Sequence, residues 1–290
     1  MKTLLRSDIP QDFSYYRTGS KVFYEYYKKY SHLLIFRIGK WYEFIRARKI
    51  IGNIYSVIAE KTDIEPNRSL LWSLWIEHGI IFWWPMRVME KPKWWFRIPK
   101  FLLQYYEFLH STHSAFSILD RPDYWNKWSA SARAHRRKII ELRKSGKLSI
   151  EIDNTGERYL EIYRKIKVPD PHKRYLLLWC EKTFVQSKGD FRIYIASIDG
   201  IPLAGAVFID EGVTSEYFTS FYAKESHPYH LGIAIMDQWF LDSYEKWIQY
   251  CDLDHMRDRF QSRRYSGYTK FKESIADHDV YFHDIWVKIF

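Results

Sequence analysis

The chain has 290 residues with 45 Lys/Arg against 35 Asp/Glu, and 47% of it is hydrophobic and 19% aromatic. That much core material excludes a disordered chain, and the length fits one large domain or two of ordinary size. The charge is uneven, with 27 Lys/Arg against 13 Asp/Glu in residues 1–150 and 18 against 22 in residues 151–290. Two units follow, the first suited to an anionic partner such as tRNA, a nucleotide sugar or a phospholipid surface; the plainer alternative is charge kept for solubility.

Met1 to Pro10 has no apolar run, so no secretory signal is predicted. Gly19–Tyr30 and Lys40–Ile51 read as helices, the second on the spacing of Trp41, Phe44, Ile45 and Arg48. Ile54–Ala59, Leu70–Ile76 and Gly79–Trp84 read as strands, so the apolar window Ser69–Met86 is two buried strands rather than a membrane span. Trp95–His113 reads as a long aromatic helix and Ala115–Leu119 as a short strand. After the break at Arg121-Pro122-Asp123, a basic helix runs over Tyr124–Ser145 and stops at Gly146.

Leu148–Ile152 is then a strand, with Gly156–Lys165 and His172–Gln186 helical. Phe191–Ile198 and Leu203–Ile209 flank Asp199-Gly200, the pattern of a hairpin. Tyr217–Tyr222 is a strand, Gly232–Lys246 a helix, Ile248–Leu253 a strand, Tyr268–Ile275 a short helix, and Val280–Ile289 closes the sheet. Residues 20–120 repeat this plan of three strands, a helix and a strand. Cys180 and Cys251 sit in apolar surroundings and make neither a disulfide framework nor a zinc site; both read as buried small residues of a reducing compartment. A cytoplasmic protein is expected.

Candidate chemistry gathers in the second half. Gly232 and Ala234 lie between a strand and a helix, where small residues let a diphosphate or an acyl carbonyl approach the helix amides; an ordinary helix start is the alternative. Asp252 and Asp254 end a strand at the expected split of an open sheet. One of them could take a proton from an attacking amine, or both could simply cap or pair with Arg257 or Arg259. Tyr217 and Tyr222 alternate with Phe218 and Phe221, so a tyrosine face lines either a cleft or the core. Arg133, Arg136, Arg137, Lys138 and Lys144 ring the basic helix as a track for tRNA phosphates or as a solvated face. Arg87, after Trp83-Trp84-Pro85-Met86, is a candidate phosphate ligand. His110 and His113 lack a third ligand, and no metal site is predicted.

At Gly232 and Ala234 the tail resembles the GNAT acyltransferase fold, whose acyl-CoA loop reads Gln/Arg-x-x-Gly-x-Gly/Ala; the Gln/Arg position here holds Tyr229. The basic run Tyr124–Gly146, the string Ile198-Asp199-Gly200-Ile201-Pro202-Leu203-Ala204-Gly205, Cys251-Asp252-Leu253 and Gly267-Tyr268-Thr269-Lys270-Phe271-Lys272 together resemble the Fem family. These are peptidoglycan-bridge aminoacyltransferases built from two GNAT-like halves. The resemblance implies an α/β fold of two tandem GNAT-like halves with mixed, mostly antiparallel sheets flanked by helices. Residues 1–123 would form a basic, degenerate half, and 124–290 the half carrying the acyl-transfer site.

It further implies that Phe271 and Lys272 lie at the reaction site. The family continues Phe-Lys with a nearby Gly, where this chain has Glu273-Ser274-Ile275-Ala276. Amide formation passes through an oxyanion, which an ammonium aimed at it would stabilise. The function implied is transfer of an acyl or aminoacyl group onto an amine, with no bound cofactor. Its donor would be aminoacyl-tRNA and its acceptor a nucleotide- or lipid-linked cell-wall precursor, at the inner face of the membrane if the protein associates there peripherally. The first alternative is an acyl-CoA-dependent N-acyltransferase acting on a small molecule or a polysaccharide precursor. The second is a non-catalytic RNA-binding protein on the same scaffold.

Overall fold

The computed structural model describes residues 2–4, 32–38, 41–59, 65–73, 75–83, 94–97, 113–166, 191–256, 266–281 and 286–289. In chain order the elements are β1 (Lys2–Leu4), β2 (His32–Ile38), β3 (Trp41–Ile51), β4 (Ile54–Ala59), α1 (Arg68–Ser73), β5 (His78–Trp83), β6 (Phe96–Arg97) and β7 (His113–Ile118). There follow α2 (Ala130–Lys144), β8 (Leu148–Ile152), α3 (Glu157–Lys165), β9 (Phe191–Ile198), β10 (Ile201–Glu211) and β11 (Thr214–Tyr222). The chain closes with α4 (Leu231–Glu245), β12 (Tyr250–His255), α5 (Ser266–Ile275), β13 (His278–Tyr281) and β14 (Trp286–Ile289).

Two compact units divide these elements. One takes Met1–Ala115, His255–Lys270 and His278–Phe290; the other takes Phe116–Asp254 and Phe271–Asp277. In the first, six strands run in the order β2-β3-β4-β5-β14-β6. In the second the order is β7-β12-β11-β10-β9-β8. Both sheets are mixed and mostly antiparallel, and both follow one plan. Three antiparallel strands lead through a helix into a parallel partner, β4 to β5 by way of α1 and β11 to β12 by way of α4.

The repeated plan was expected, but its elements in the first unit fall elsewhere. Lys40–Ile51 is not a helix. Trp41–Ile51 is a strand held between β2 and β4, its ladder running from Ile38–Trp41 to Ile51–Ile54. Leu70–Ile76 is not a strand, since Arg68–Ser73 is helical, and Leu71 and Ile76 turn into the core beside Ile45, Val57, Ile81 and Trp83. Of Trp95–His113, Trp95 is buried just ahead of a strand at residues 96–97, His113 begins β7, and residues 98–112 lie outside the described residues. The helices expected at Gly19–Tyr30 and His172–Gln186 also lie outside them, as does Cys180. Nor does Val280–Ile289 form one closing strand: β14 pairs with β5, Trp286 opposite Trp83, and so belongs to the first unit's sheet.

The second unit follows its local chemistry closely. Asp199 and Gly200 both take positive φ, 49° and 79°, in the two-residue turn that fits the twist of a hairpin. Ser129 caps α2 by accepting from the Ala132 amide at 3.2 Å, and the helix stops before Gly146. Asp153 accepts from the Gly156 and Tyr159 amides at 2.9 and 2.8 Å, which fixes the entry to α3. At the sheet centre, a Cβ on Gly205 would lie 2.7 Å from the Phe221 ring and 3.1 Å from Tyr159. Gly205→Ala is therefore expected to destabilise the fold by about 1–3 kcal/mol, read as a lower urea midpoint with an unchanged slope.

Candidate functional site

The site begins where two parallel strands separate. The β11–β12 ladder covers only Thr214–Tyr250, Ser215–Cys251 and Glu216–Asp252. Beyond it β11 stays paired with β10 as far as Tyr222, while β12 continues to His255. At the parting point β11 carries one extra residue: Val207 faces Thr219, but Phe208 faces Tyr217, leaving Phe218 as a bulge. A bulge reverses the side-chain alternation that follows it. Tyr217, Ser220 and Tyr222 therefore share one face, whereas Thr219 and Phe221 are buried on the other. The Tyr217 and Ser220 hydroxyls are hydrogen-bonded to each other. The Tyr222 hydroxyl is buried beside them without an aligned bond to either. Burial, with Tyr217 adjacent, pushes Tyr222 well above the ordinary phenol range and keeps it neutral.

A turn over Lys224–Tyr229 and a left-handed His230 (φ 54°) lead from β11 into α4. The first donors of the helical ladder are Ile233 and Ala234, both to the His230 carbonyl at 2.9 and 3.2 Å. The Leu231 and Gly232 amides lie ahead of that ladder, at the positive end of the helix dipole. Ala234, expected beside the donor, is instead fully buried with its amide already used. Gly232 does meet the expected neighbours. A Cβ there would lie 3.3 and 3.4 Å from the Phe271 ring and 3.5 Å from the Tyr222 ring. A side chain there would press on both rings.

Helix α5 is pinned by its C-terminal turn. Its Ser274 carbonyl accepts from the Ser129 amide at 2.8 Å, and its Ile275 carbonyl from the Ser117 hydroxyl at 3.2 Å. This grip sets Phe271 against Gly232 and sends Lys272 inward, 4% exposed, with Nζ 5.5 Å from the centre of the Tyr217 ring. Tyr217, Tyr222, Gly232, Phe271 and Lys272 thus gather inside the second unit.

Asp252 lies one register step away, opposite Glu216, and both are buried. Its Oδ1 accepts the amide of Asp254 at 2.8 Å, and Asp254 is left-handed (φ 66°) and buried in turn. Arg87, Arg257 and Arg259 lie outside the described residues. Buried Cys251 has its thiol pushed up by desolvation, which fits a packing role rather than a reactive one.

Much of the basic helix faces protein. Arg136 donates to Asp237 at 2.6 Å, stacks 3.9 Å over Trp125, and shares Asp237 with the Tyr124 hydroxyl. Arg133 donates to the Asn126 and Trp128 carbonyls and Arg143 to that of Ala234. Arg137, Lys138 and Lys144 are exposed, and Lys144 pairs with Glu141. A phosphate track along the whole helix is not available.

Sequence reading missed three residues. Ser220 is undistinguished until the bulge turns it toward Tyr217. His135 on α2 and His230 at the start of α4 stack with ring centres 3.7 Å apart. Burial and the nearby Lys138 hold both imidazoles below the ordinary histidine range, so both are neutral at pH 7. The pair sits 95 positions apart in the chain, and no local pattern links them.

No protein-family model matches the sequence, and no curated protein is similar to it. Solved structures do match. FemX aligns at a TM-score of 0.66 with 11% identity, over 95% of this chain and 92% of that one. A protein of unknown function from Bacteroides thetaiotaomicron aligns at 0.57 with 9% identity, covering 89% and 86%. L-PGS from Bacillus licheniformis aligns at 0.50 with 12% identity, covering 89% and 84%. The chain therefore has the fold of FemX, a Fem-like fold.

Proposed function

Starting from a Fem-like fold, we propose that the protein transfers an acyl or aminoacyl group onto an amine and so forms an amide. The observation that carries this reading is the meeting of Gly232, in the first turn of α4, with Phe271 and Tyr222, and of Lys272 with Tyr217, where β11 and β12 part. A donor carbonyl beside Gly232 would face the Leu231 and Gly232 amides, and the positive charge of Lys272 would stabilise the oxyanion that forms on attack. The amine nitrogen adds to the carbonyl carbon, and the carbon–oxygen bond of an ester, or the carbon–sulfur bond of a thioester, breaks. The amine's proton passes to Asp252 or to a group on the acceptor, and the leaving alcohol or thiol is reprotonated. The Tyr217–Ser220 pair forms the wall under Lys272, with the neutral Tyr222 phenol buried beside it.

Aminoacyl-tRNA is the proposed donor, supported by the excess of Lys/Arg in residues 1–150, and a nucleotide- or lipid-linked cell-wall precursor is the proposed acceptor. Tyr229, at the Gln/Arg position of the acyl-CoA loop, argues against CoA as donor. The test is transfer of labelled acyl groups from charged tRNA and, separately, from acyl-CoA onto amine acceptors. Ribonuclease-sensitive transfer is the expected result. Release of free thiol would move the donor to CoA. Salt-sensitive tRNA binding with no transfer, unchanged in Lys272→Ala, would leave a non-catalytic RNA-binding protein in its place.

A further inference from the structure

One end of the first unit's sheet presents apolar side chains to solvent. The β3–β4 hairpin turns at Gly52-Asn53 with Ile51 opposite Ile54, and Ile54 in turn faces His78 at the start of β5. Trp75 lies three residues before that start, its amide bonded to the Trp72 carbonyl at 2.9 Å. On the other side of β5, Ile289 of β14 faces Ile80. Because β6 is antiparallel to β14, with Phe96 opposite Val287, the register carries Trp94 to Ile289. Ile50, Ile51, Trp72, Trp75, Trp94 and Ile289 therefore stand at the same end. All are exposed, Trp75 by 90%, Trp94 by 83%, Ile289 by 80% and Ile51 by 70%. Single exposed apolar residues are normal on a soluble protein, but a cluster of this kind marks a contact surface.

Cations accompany it. Lys49 is exposed beside Ile50, the Arg68 guanidinium lies 4.9 Å over the Trp72 ring, and Lys288 Nζ lies 5.5 Å from the Trp95 ring. Of the acids nearby among the described residues, Glu65 accepts the Trp95 indole N–H at 2.7 Å and Glu77 is exposed. Tryptophan with adjacent Lys and Arg is the chemistry that settles at headgroup depth on an anionic bilayer. A second copy of the chain would instead bring like charges together across a two-fold axis. No helix among the described residues is long and apolar enough to cross a membrane.

We infer that this end of the first unit docks on an anionic phospholipid bilayer. The indoles and isoleucines enter the interface, and Lys49, Arg68 and Lys288 meet lipid phosphates. The test sediments the full chain with vesicles of equal parts phosphatidylcholine and phosphatidylglycerol, and with phosphatidylcholine alone. Partitioning is expected to be at least about tenfold stronger on the anionic vesicles and to weaken with added salt. Trp75→Ser with Trp94→Ser, both outside the core, should lose about tenfold or more in partitioning at an unchanged melting temperature. Ile51→Ser is an independent second variant. Equal sedimentation of wild type and both variants would overturn the inference. So would no sedimentation, or a solution dimer that the same substitutions dissolve.

Discussion

Lys272→Ala is expected to slow amide formation by about 10²–10³-fold, the usual loss when one donor to a developing oxyanion is removed. Its ammonium is buried against the Tyr217 ring on a helix whose last turn is fixed by Ser117 and Ser129. A positioned charge of this kind acts on the transition state far more than on the bound substrate, so kcat should fall with KM nearly unchanged. Truncation also removes buried volume, so Lys272→Met is the companion variant: it keeps the stem and should lose the same activity with a smaller change in melting temperature. Wild-type rates in a folded Lys272→Met protein would remove the residue from the mechanism.

The largest stability effect is expected at Arg192, which lies in the scaffold beneath the site and not in the site itself. Its Nη2 donates to Asp210 on β10 at 2.8 Å, to the Ser215 hydroxyl on β11 at 2.8 Å and to Ser243 on α4 at 2.6 Å, and its Nε lies 2.7 Å from the other Asp210 oxygen as an ion pair. Ser215 also accepts the Trp239 indole N–H at 2.8 Å, so one cation joins three strands to the helix that opens at Gly232. Arg192→Met leaves Asp210 with only its looser ion pair to Lys246, at 4.0 Å. The expected cost is about 3 kcal/mol, at the lower end for a broken buried pair because Asp210 is partly solvated. Urea unfolding measures it. Adding Asp210→Leu should recover part of the loss, since a matched apolar pair strands no charge. No recovery would mean that the serine bonds, and not the ion pair, carry the stability.

How far the chain could be read differs between its halves, for a physical reason. From Tyr124 onward the cues are local: Ser129 before a helix, Gly146 after it, Asp199-Gly200 between two apolar runs. Each of them acts within a few residues of itself, and the described elements between them were legible to within a few positions. In the first half the periodicity misled. Trp41, Phe44, Ile45 and Arg48 sit at helical spacing, yet β2 and β4 take that segment as a strand between them. Leu71 and Ile76 looked like one strand because an apolar run does not say which of its members turn inward.

The sequence by itself settled the α/β class, the repeated plan of three strands, a helix and a strand, and the nearness of Phe271-Lys272 to a glycine-led helix as an expectation of resemblance. Only the tertiary structure decided which groups meet. Tyr217 and Tyr222 are five residues apart, which in a regular strand puts them on opposite faces. The extra residue at Phe218 reverses that parity and brings both, with Ser220, under Lys272. Whether a strand bulges depends on the partners it pairs with on either side, and those lie far along the chain.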